Sequence, residues 1–220
     1  MINNFPLPGK EAHIRLAPHQ RRADMFLDHY PPAGAKESAV LVLLFPQGSD
    51  LMDWRVLIIL RNSYNGVHSA QAAFPGGKRE QTDKSLAETA LREAHEEMAV
   101  KIEEITTISY LSELYVPPSN FLIKPLLAVA KKEIGFIPNP REVSSYSLVP
   151  IKELNPLKAV NKRFQSPTGE WLDAPGYEYD GLFIWGATAM ILSELYQLVD
   201  DAILNKVLSI TYISSSNPSI

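Results

Sequence analysis

The chain is expected to fold as one α/β domain over residues 1–220, built on a mixed β-sheet. Three observations point there. Short continuous apolar runs recur between turn signals, as fully buried strands do. Two longer segments, near 85–98 and 181–204, carry apolar residues at helical spacing. No internal repeat is present and no linker separates two cores, so strands flanked by two principal helices make one layered unit.

Residues 1–36 are rich in proline and charge and read as an N-terminal extension. A short helix is expected from Arg21 to His29, then a loop through YPPAGAKES. The core runs from about 38 to 204. AVLVLLF (39–45), bounded by Lys36–Ser38 and Pro46, reads as a buried strand. WRVLIILR (54–61) reads as a second, and PQGSDLMD suits a hairpin-like connection between them. A loop over 62–73 leads to FPGG, where Pro75 fixes φ and Gly76 and Gly77 permit backbone shapes closed to other residues. A helix is expected from Lys84 or Ser85 to about Met98, with Asp83 as its N-cap.

EITTISYLSELYV (104–116) and FLIKPLLAVA (121–130) read as two more strands, and Pro125 suggests an edge or a bulge for the second. REVSSYSLVPIKEL (141–154) reads as a strand and a short helical turn, and 160–180 as a hairpin. GLFIWGATAMILSELYQLVDDAIL (181–204) reads as a late helix into which Ile184 and Trp185 lead. The tail SSSNPSI should fray.

Composition excludes several function classes. A net charge of −4 exerts no electrostatic pull toward nucleic acid or an anionic membrane. The absence of cysteine rules out disulfides, thiolate catalysis and zinc–thiolate sites. No apolar run is long enough for a signal peptide or a membrane span, so a cytoplasmic protein is expected.

The helix near 85–98 is the chemically informative one. With Leu86 at zero and ~100° per residue, Leu86, Ala87, Ala90, Leu91, Ala94 and Met98 fall within an arc of roughly 0–140°. Glu96, Glu93 and Glu97 fall at roughly 280°, 340° and 20° on the same wheel. One face can pack on a sheet while its neighbour presents three carboxylates. Like charges at i,i+3 and i,i+4 repel, and the macrodipole disfavours anions in a helix's C-terminal half. Acids on a helix are usually a solvated face. Here a glycine turn precedes them, and Arg92 stands where it can orient a carboxylate by a bidentate ion pair. A divalent cation would reverse the repulsion, and hard oxygen ligands suit Mg²⁺ or Mn²⁺.

GGKREQTDKSLAETALREAHEEMAV resembles the Nudix box, G-x5-E-x7-R-E-U-x-E-E-x-G-U, where U is aliphatic. The core fits at Arg92, Glu93, Ala94, Glu96 and Glu97, and Val100 fits the last position. Asp83 stands for the first Glu, with one extra residue before Arg92, and Ala99 replaces the final Gly, a change that costs a little stability or lets the helix run on. The longer loop is similar to that of coenzyme A pyrophosphatase-like members, which also carry L-L-T-x-R-S-x3-R-x3-G-x3-F-P-G-G. LIILRNSYNGVHSAQAAFPGG matches that frame at Arg61, Phe74, Pro75, Gly76 and Gly77, with Asn62, Gly66 and Ala70 departing from it. FIWGATAMILSEL (183–195) is similar to that branch's C-terminal helix.

The resemblance implies an α/β/α sandwich that hydrolyses a nucleoside diphosphate linked to another group, with Mg²⁺ or Mn²⁺. It implies that Glu93 and Glu97 bind the metal, that Glu96 adds a ligand or a water-mediated contact, and that a carbonyl of Gly76–Gly77 completes the sphere. Arg92 would orient Glu97 or Glu96. Glu93 or a downstream acid would be the base, with Glu142 the downstream candidate; Glu113 on a strand more simply faces solvent. Arg61 and Lys78 would contact phosphate. His68 and His95 read as surface or satisfied polar residues before catalysts, and Tyr115, Trp171 and Tyr177 as packing residues before base-stacking ones; Trp185 reads as core.

Three functions follow. The first is hydrolysis of coenzyme A or a derivative to an adenosine bisphosphate and a phosphopantetheine product. The second is the same chemistry on ADP-ribose, a dinucleoside polyphosphate or a nucleotide sugar. The third, of another class, is a non-catalytic module that senses a nucleotide; the three intact helix acids and the lack of a basic helix in 200–220 argue against it. The partner expected is a small-molecule nucleotide, with neither nucleic acid nor membrane. Related folds dimerise, which allows a homodimer.

Overall fold

In this computed structural model, residues 5–20, 22, 31–62, 71–165 and 171–215 are described, with side chains as far as Ser209. The helix expected from Arg21 to His29, the positions Gly66, His68 and Ala70, and the tail SSSNPSI lie wholly or almost wholly outside them. In chain order the elements are α1 (Lys10–Arg15), β1 (Lys36–Phe45), β2 (Arg55–Arg61), β3 (Ala72–Ala73), β4 (Gly76–Lys78), α2 (Leu86–Met98), β5 (Ile105–Tyr110) and β6 (Leu114–Val116). After these come β7 (Phe121–Ala130), β8 (Val143–Pro150), β9 (Val160–Gln165), β10 (Trp171–Tyr179), β11 (Leu182–Trp185), α3 (Gly186–Asp200) and α4 (Ile203–Ser215).

The run AVLVLLF forms most of β1, and its alternate residues feed two cores. Val42 and Leu44 point to one, while Ala39, Leu41, Leu43 and Phe45 point to the other. Burial on both faces explains why this strand reads as continuously apolar. β1 lies parallel to β7 from Lys36↔Phe121 to Leu44↔Val129. Its far end pairs antiparallel with β2 at Leu44↔Val56, and its near end pairs with β4 at Val40↔Gly76. β2 therefore leaves β1 after a short contact and continues antiparallel to β8. The glycine turn occupies the resulting wedge.

One face of this mixed sheet is covered by α2, whose Ala90, Ala94 and Met98 are fully buried, with Leu86, Ala87 and Leu91 packed beside them. The opposite face is covered by α3 and by the small antiparallel sheet β11–β10–β9, whose Tyr177, Leu182 and Ile184 join its core. The α/β/α sandwich expected from the sequence is thus present. Among the described residues no helix is long and apolar enough to cross a membrane.

Several local expectations change. α2 is capped by Ser85, whose hydroxyl accepts the Glu88 N–H, and Asp83 is freed for other work. The expected strand over 104–116 is two strands, β5 and β6, interrupted at Leu111–Glu113. Pro125 sits in the interior strand β7, not at an edge. Its carbonyl accepts Leu111 N–H at that interruption, so its missing N–H faces a break in the neighbouring strand and costs no ladder bond. Leu182–Trp185 is a strand, and the late helix begins only at Gly186, whose φ of 62° turns the chain between them. A separate helix, α4, follows. The 160–180 hairpin is present as β9 and β10.

Candidate active site

The site forms where β4, β2 and the acidic side of α2 meet. Gly76 has φ 155° and an added Cβ would come within 2.5 Å of the Ala39 carbonyl, so only glycine lets β4 lie this close to β1. At Gly77 a Cβ would come within 2.4 Å of the Glu93 carboxyl. The two glycines let the acid helix approach the turn backbone directly.

Glu97 is buried, its side chain 1% exposed. Its Oε2 accepts the Gly76 N–H at 2.9 Å. Its Oε1 lies 3.0 Å from Arg61 Nη2, an ion pair without hydrogen-bond alignment, so that buried oxygen accepts no hydrogen bond. Burial pushes the Glu97 carboxyl up to about 7, against the opposing pull of Arg61 and the Gly76 N–H; the charges of Glu93 and Glu142 add to the rise. Burial also raises Glu93, against the pull of Arg92.

Arg92 is bound on all sides. Its Nε and Nη2 donate to the two Asp83 oxygens, each at 3.0 Å; Nη1 donates to Glu93 at 2.9 Å and Glu96 at 3.2 Å; and Nη2 also donates to the Lys78 carbonyl at 3.2 Å. The bidentate partner is therefore Asp83, and Arg92 orients Glu93 and Glu96 but not Glu97; Arg61 takes that part. Asp83 is buried, also accepts from Glu80 N–H and Thr89 Oγ1, and is held well below the usual carboxylate range chiefly by the Arg92 bonds. The same pairing raises Arg92 further.

Glu142 stands at the rim. The chain from Ile137 to Glu142 crosses the end of α2, where Ile137 and Asn139 donate to the Met98 and Glu97 carbonyls. Glu142 Oε1 accepts from Asn139 Nδ2 at 3.0 Å. Asn139 was not among the expected site residues; the turn signal Asn139–Pro140 is the mark that could have found it. Lys78 is exposed on β4, and its side chain borders a cleft shared with Lys36, Arg79 and Gln81. His95 holds the Val100 carbonyl at the helix end. Tyr177 is buried in the core of the opposite face, Trp171 is 58% exposed beneath Arg163, and Tyr115 donates to Asn120. Trp185, expected in the core, is only half-buried and packs edge-on against Phe164.

Among the described residues no three acids converge into a ready cage for an ion. Each has its own donor: Gly76 for Glu97, and Arg92 for Glu93 and Glu96. The donor set nevertheless fits a hard divalent cation. Glu97 Oε1 is buried without a hydrogen bond, Glu93 lies in the space that Gly77 leaves, and Glu96, half-exposed, is held beside them by Arg92.

Comparison with known proteins agrees with this geometry. Residues 35–172 match the model of the NUDIX domain, more than half of the chain. A protein named uncharacterized Nudix hydrolase NudL from Yersinia enterocolitica is 33% identical over 155 residues, 66% of this chain and 74% of that one. Its namesake from Photorhabdus laumondii is 31% identical over 144 residues, 66% of this chain and 76% of that one. A crystal structure of a MutT protein from Methanosarcina mazei Go1 aligns with TM-score 0.49 at 13% identity, covering 75% of this chain and 94% of that one. With its acids on one helix against a paired-glycine turn and a matching domain over most of its length, the chain belongs to the Nudix hydrolase family, the pyrophosphatases of nucleoside diphosphate-linked substrates.

Proposed function

We propose that the protein hydrolyses the diphosphate of coenzyme A or a coenzyme A derivative in the cytoplasm, with Mg²⁺ or Mn²⁺. The observation that carries this reading is the Arg61–Glu97 ion pair across Gly76. It joins the upstream LIILR…FPGG frame, similar to the coenzyme A branch, to the acids of the box in one constellation.

Glu93 and Glu97, with Glu96 rotated off Arg92, are the residues that would hold the cation. When bound, it supplies neutralisation of charge on the diphosphate and activation of water. The chain's own groups do the rest. Asp83 fixes Arg92, and Arg92 fixes Glu93. Arg61, one of whose donors faces the Gly76 carbonyl, and Lys78 on the same turn offer positive charge to the substrate phosphates. Glu142, exposed at the rim, accepts a proton from the attacking water.

The test is product identification after incubation with coenzyme A and Mg²⁺ or Mn²⁺, alongside ADP-ribose, a dinucleoside tetraphosphate and a nucleotide sugar. An adenosine bisphosphate and a phosphopantetheine product, formed faster than any product of the panel, are expected. Preferred turnover of ADP-ribose would overturn the coenzyme A assignment and point to the departures at Asn62, Gly66 and Ala70 as its cause.

A further inference from the structure

Residues 61 and 62 do two adjacent jobs. Arg61 reaches Glu97 through its side chain. Asn62 grips the turn that carries Glu142 at two points: its backbone N–H donates to the Glu142 carbonyl at 2.8 Å, and its Nδ2 donates to the Pro140 carbonyl at 2.8 Å. Asn139 closes the turn from inside. Its carbonyl accepts the Glu142 and Val143 N–H groups, its Oδ1 accepts the Arg141 N–H at 3.1 Å, and its Nδ2 donates to the Glu142 carboxylate at 3.0 Å. Its own N–H is bound to the Glu97 carbonyl at 2.8 Å. The result is a closed ring running Glu97, Arg61, Asn62, Glu142, Asn139 and back to Glu97. Pairing of β2 with β8 shifts register between Leu60 and Arg61 and ends at Arg61↔Val143, so beyond Val143 the turn is held by the two asparagines.

We propose that Asn62 and Asn139 are positioning residues that hold the Glu142 carboxylate over the site that Glu97 lines. This rests on the reading of Glu142 as the proton acceptor. Asn62 stands where the coenzyme A-type frame has serine, a shorter side chain, and here the longer amide spans to Pro140. The turn has no helix or strand of its own, so its placement depends on these bonds. A shift of about 1 Å in a reacting group can cost on the order of 10²-fold in rate.

The experiment is a double-mutant cycle on turnover of coenzyme A, or of ADP-ribose if that is the faster substrate, with Asn62→Asp and Glu142→Gln. Asn62→Asp keeps the shape and the backbone N–H but turns the Pro140-facing donor into an acceptor. The expected result is a fall in kcat of roughly ten- to a hundredfold with KM changed less than about twofold, and no further fall when Glu142→Gln is already present. A merely structural role would give the same factor in both backgrounds, and that result overturns the proposal. Wild-type kcat in Asn62→Asp, with Glu142→Gln impaired, also overturns it while leaving Glu142 as the base. Wild-type kcat in Glu142→Gln overturns the role of Glu142 itself, and the positioning role falls with it. Should Asn62→Asp fail to fold, Asn139→Asp keeps the acceptor for Arg141 and removes the donor to Glu142; the same kcat signature is expected, and an unchanged kcat overturns the proposal.

Discussion

Glu97 carries a charge that its surroundings resist. With one oxygen on the Gly76 N–H and the other accepting no hydrogen bond, its carboxyl is pushed up to about 7 by burial. In the unfolded chain it titrates at about 4.3. The folded state therefore binds more protons than the unfolded state between those values, and stability falls as pH rises through this window. In the presence of a chelator, the melting temperature is expected to drop from pH 5 to pH 8, and Glu97→Gln should lose much of that slope. Added Mg²⁺ should raise stability more at pH 8 than at pH 5, because the cation competes with the proton for the same oxygens. The same variant should lose turnover by about two orders of magnitude or more; undiminished turnover would remove Glu97 from the machinery. The identity of these acids was legible in the sequence because their like-charge spacing makes no sense on a plain surface helix. Their partners were legible in part. Arg92 does reach Glu93 and Glu96, but its bidentate partner is Asp83, a pairing that no helical wheel contains.

At the scale of elements, α2 shows why pattern outperforms local punctuation. Its apolar arc found the face that packs on the sheet, with Ala90, Ala94 and Met98 fully buried, but not the burial of Thr89 and Glu97, and its ends followed detail. Ser85 outcompetes Asp83 as cap because Asp83 is engaged by Arg92 and Thr89. At the other end Ala99 adopts the left-handed conformation usually given to glycine, with φ 55° and ψ 30°. Ala99 N–H donates to the His95 carbonyl, the single bond that closes an αL cap, and Val100 N–H donates to the Ala94 carbonyl beyond it, so the helix stops on time despite the missing glycine. The backbone strain that alanine bears there is about 1–2 kcal/mol, of which glycine's greater freedom in the unfolded chain returns part. Ala99→Gly is therefore expected to stabilise by about 0.5–1 kcal/mol, a rise in melting temperature of roughly 1–4 °C with unchanged turnover. A lowered melting temperature would show that the Ala99 methyl packs favourably enough to outweigh the strain. The β11–α3 junction was misread for the opposite reason: Leu182–Trp185 continues the apolar pattern of the helix, and the change of element rests on the single φ of Gly186.

The whole molecule depends on a contact far from the chemistry. Residues 1–36 read from sequence as an N-terminal extension, and α1 and the turn after it are an integral part of the fold, with Ala12, Leu16 and Ala17 fully buried in the core beside α3. What fastens them is Glu194, fully buried on α3, a polar position that an apolar helix pattern does not single out. Its carboxylate accepts Ser112 Oγ at 2.6 Å and the Gly9 and Ser112 N–H groups at 3.3 Å, and His13 Nε2 lies 2.9 Å from it. Ser112 lies in the break between β5 and β6, so one side chain ties three distant parts of the chain. Burial alone would raise this carboxyl, but the bonds from His13 and Ser112 outweigh it and lower the value. A lowered folded value means stability that is present above the ordinary carboxylate range and is lost as pH falls through the folded value. Glu194→Gln replaces one acceptor oxygen with a donor in a cluster that already supplies donors, and leaves at least one buried N–H unpaired. The expected cost is about 2–4 kcal/mol, seen as a fall in melting temperature of roughly 5–15 °C near neutral pH that narrows on acidification. Because this network lies on the sheet face opposite α2, turnover of the folded variant at low temperature should match the wild type. A variant that melts within about 2 °C of the wild type would show that apolar packing of α1 alone holds the N-terminal segment in place.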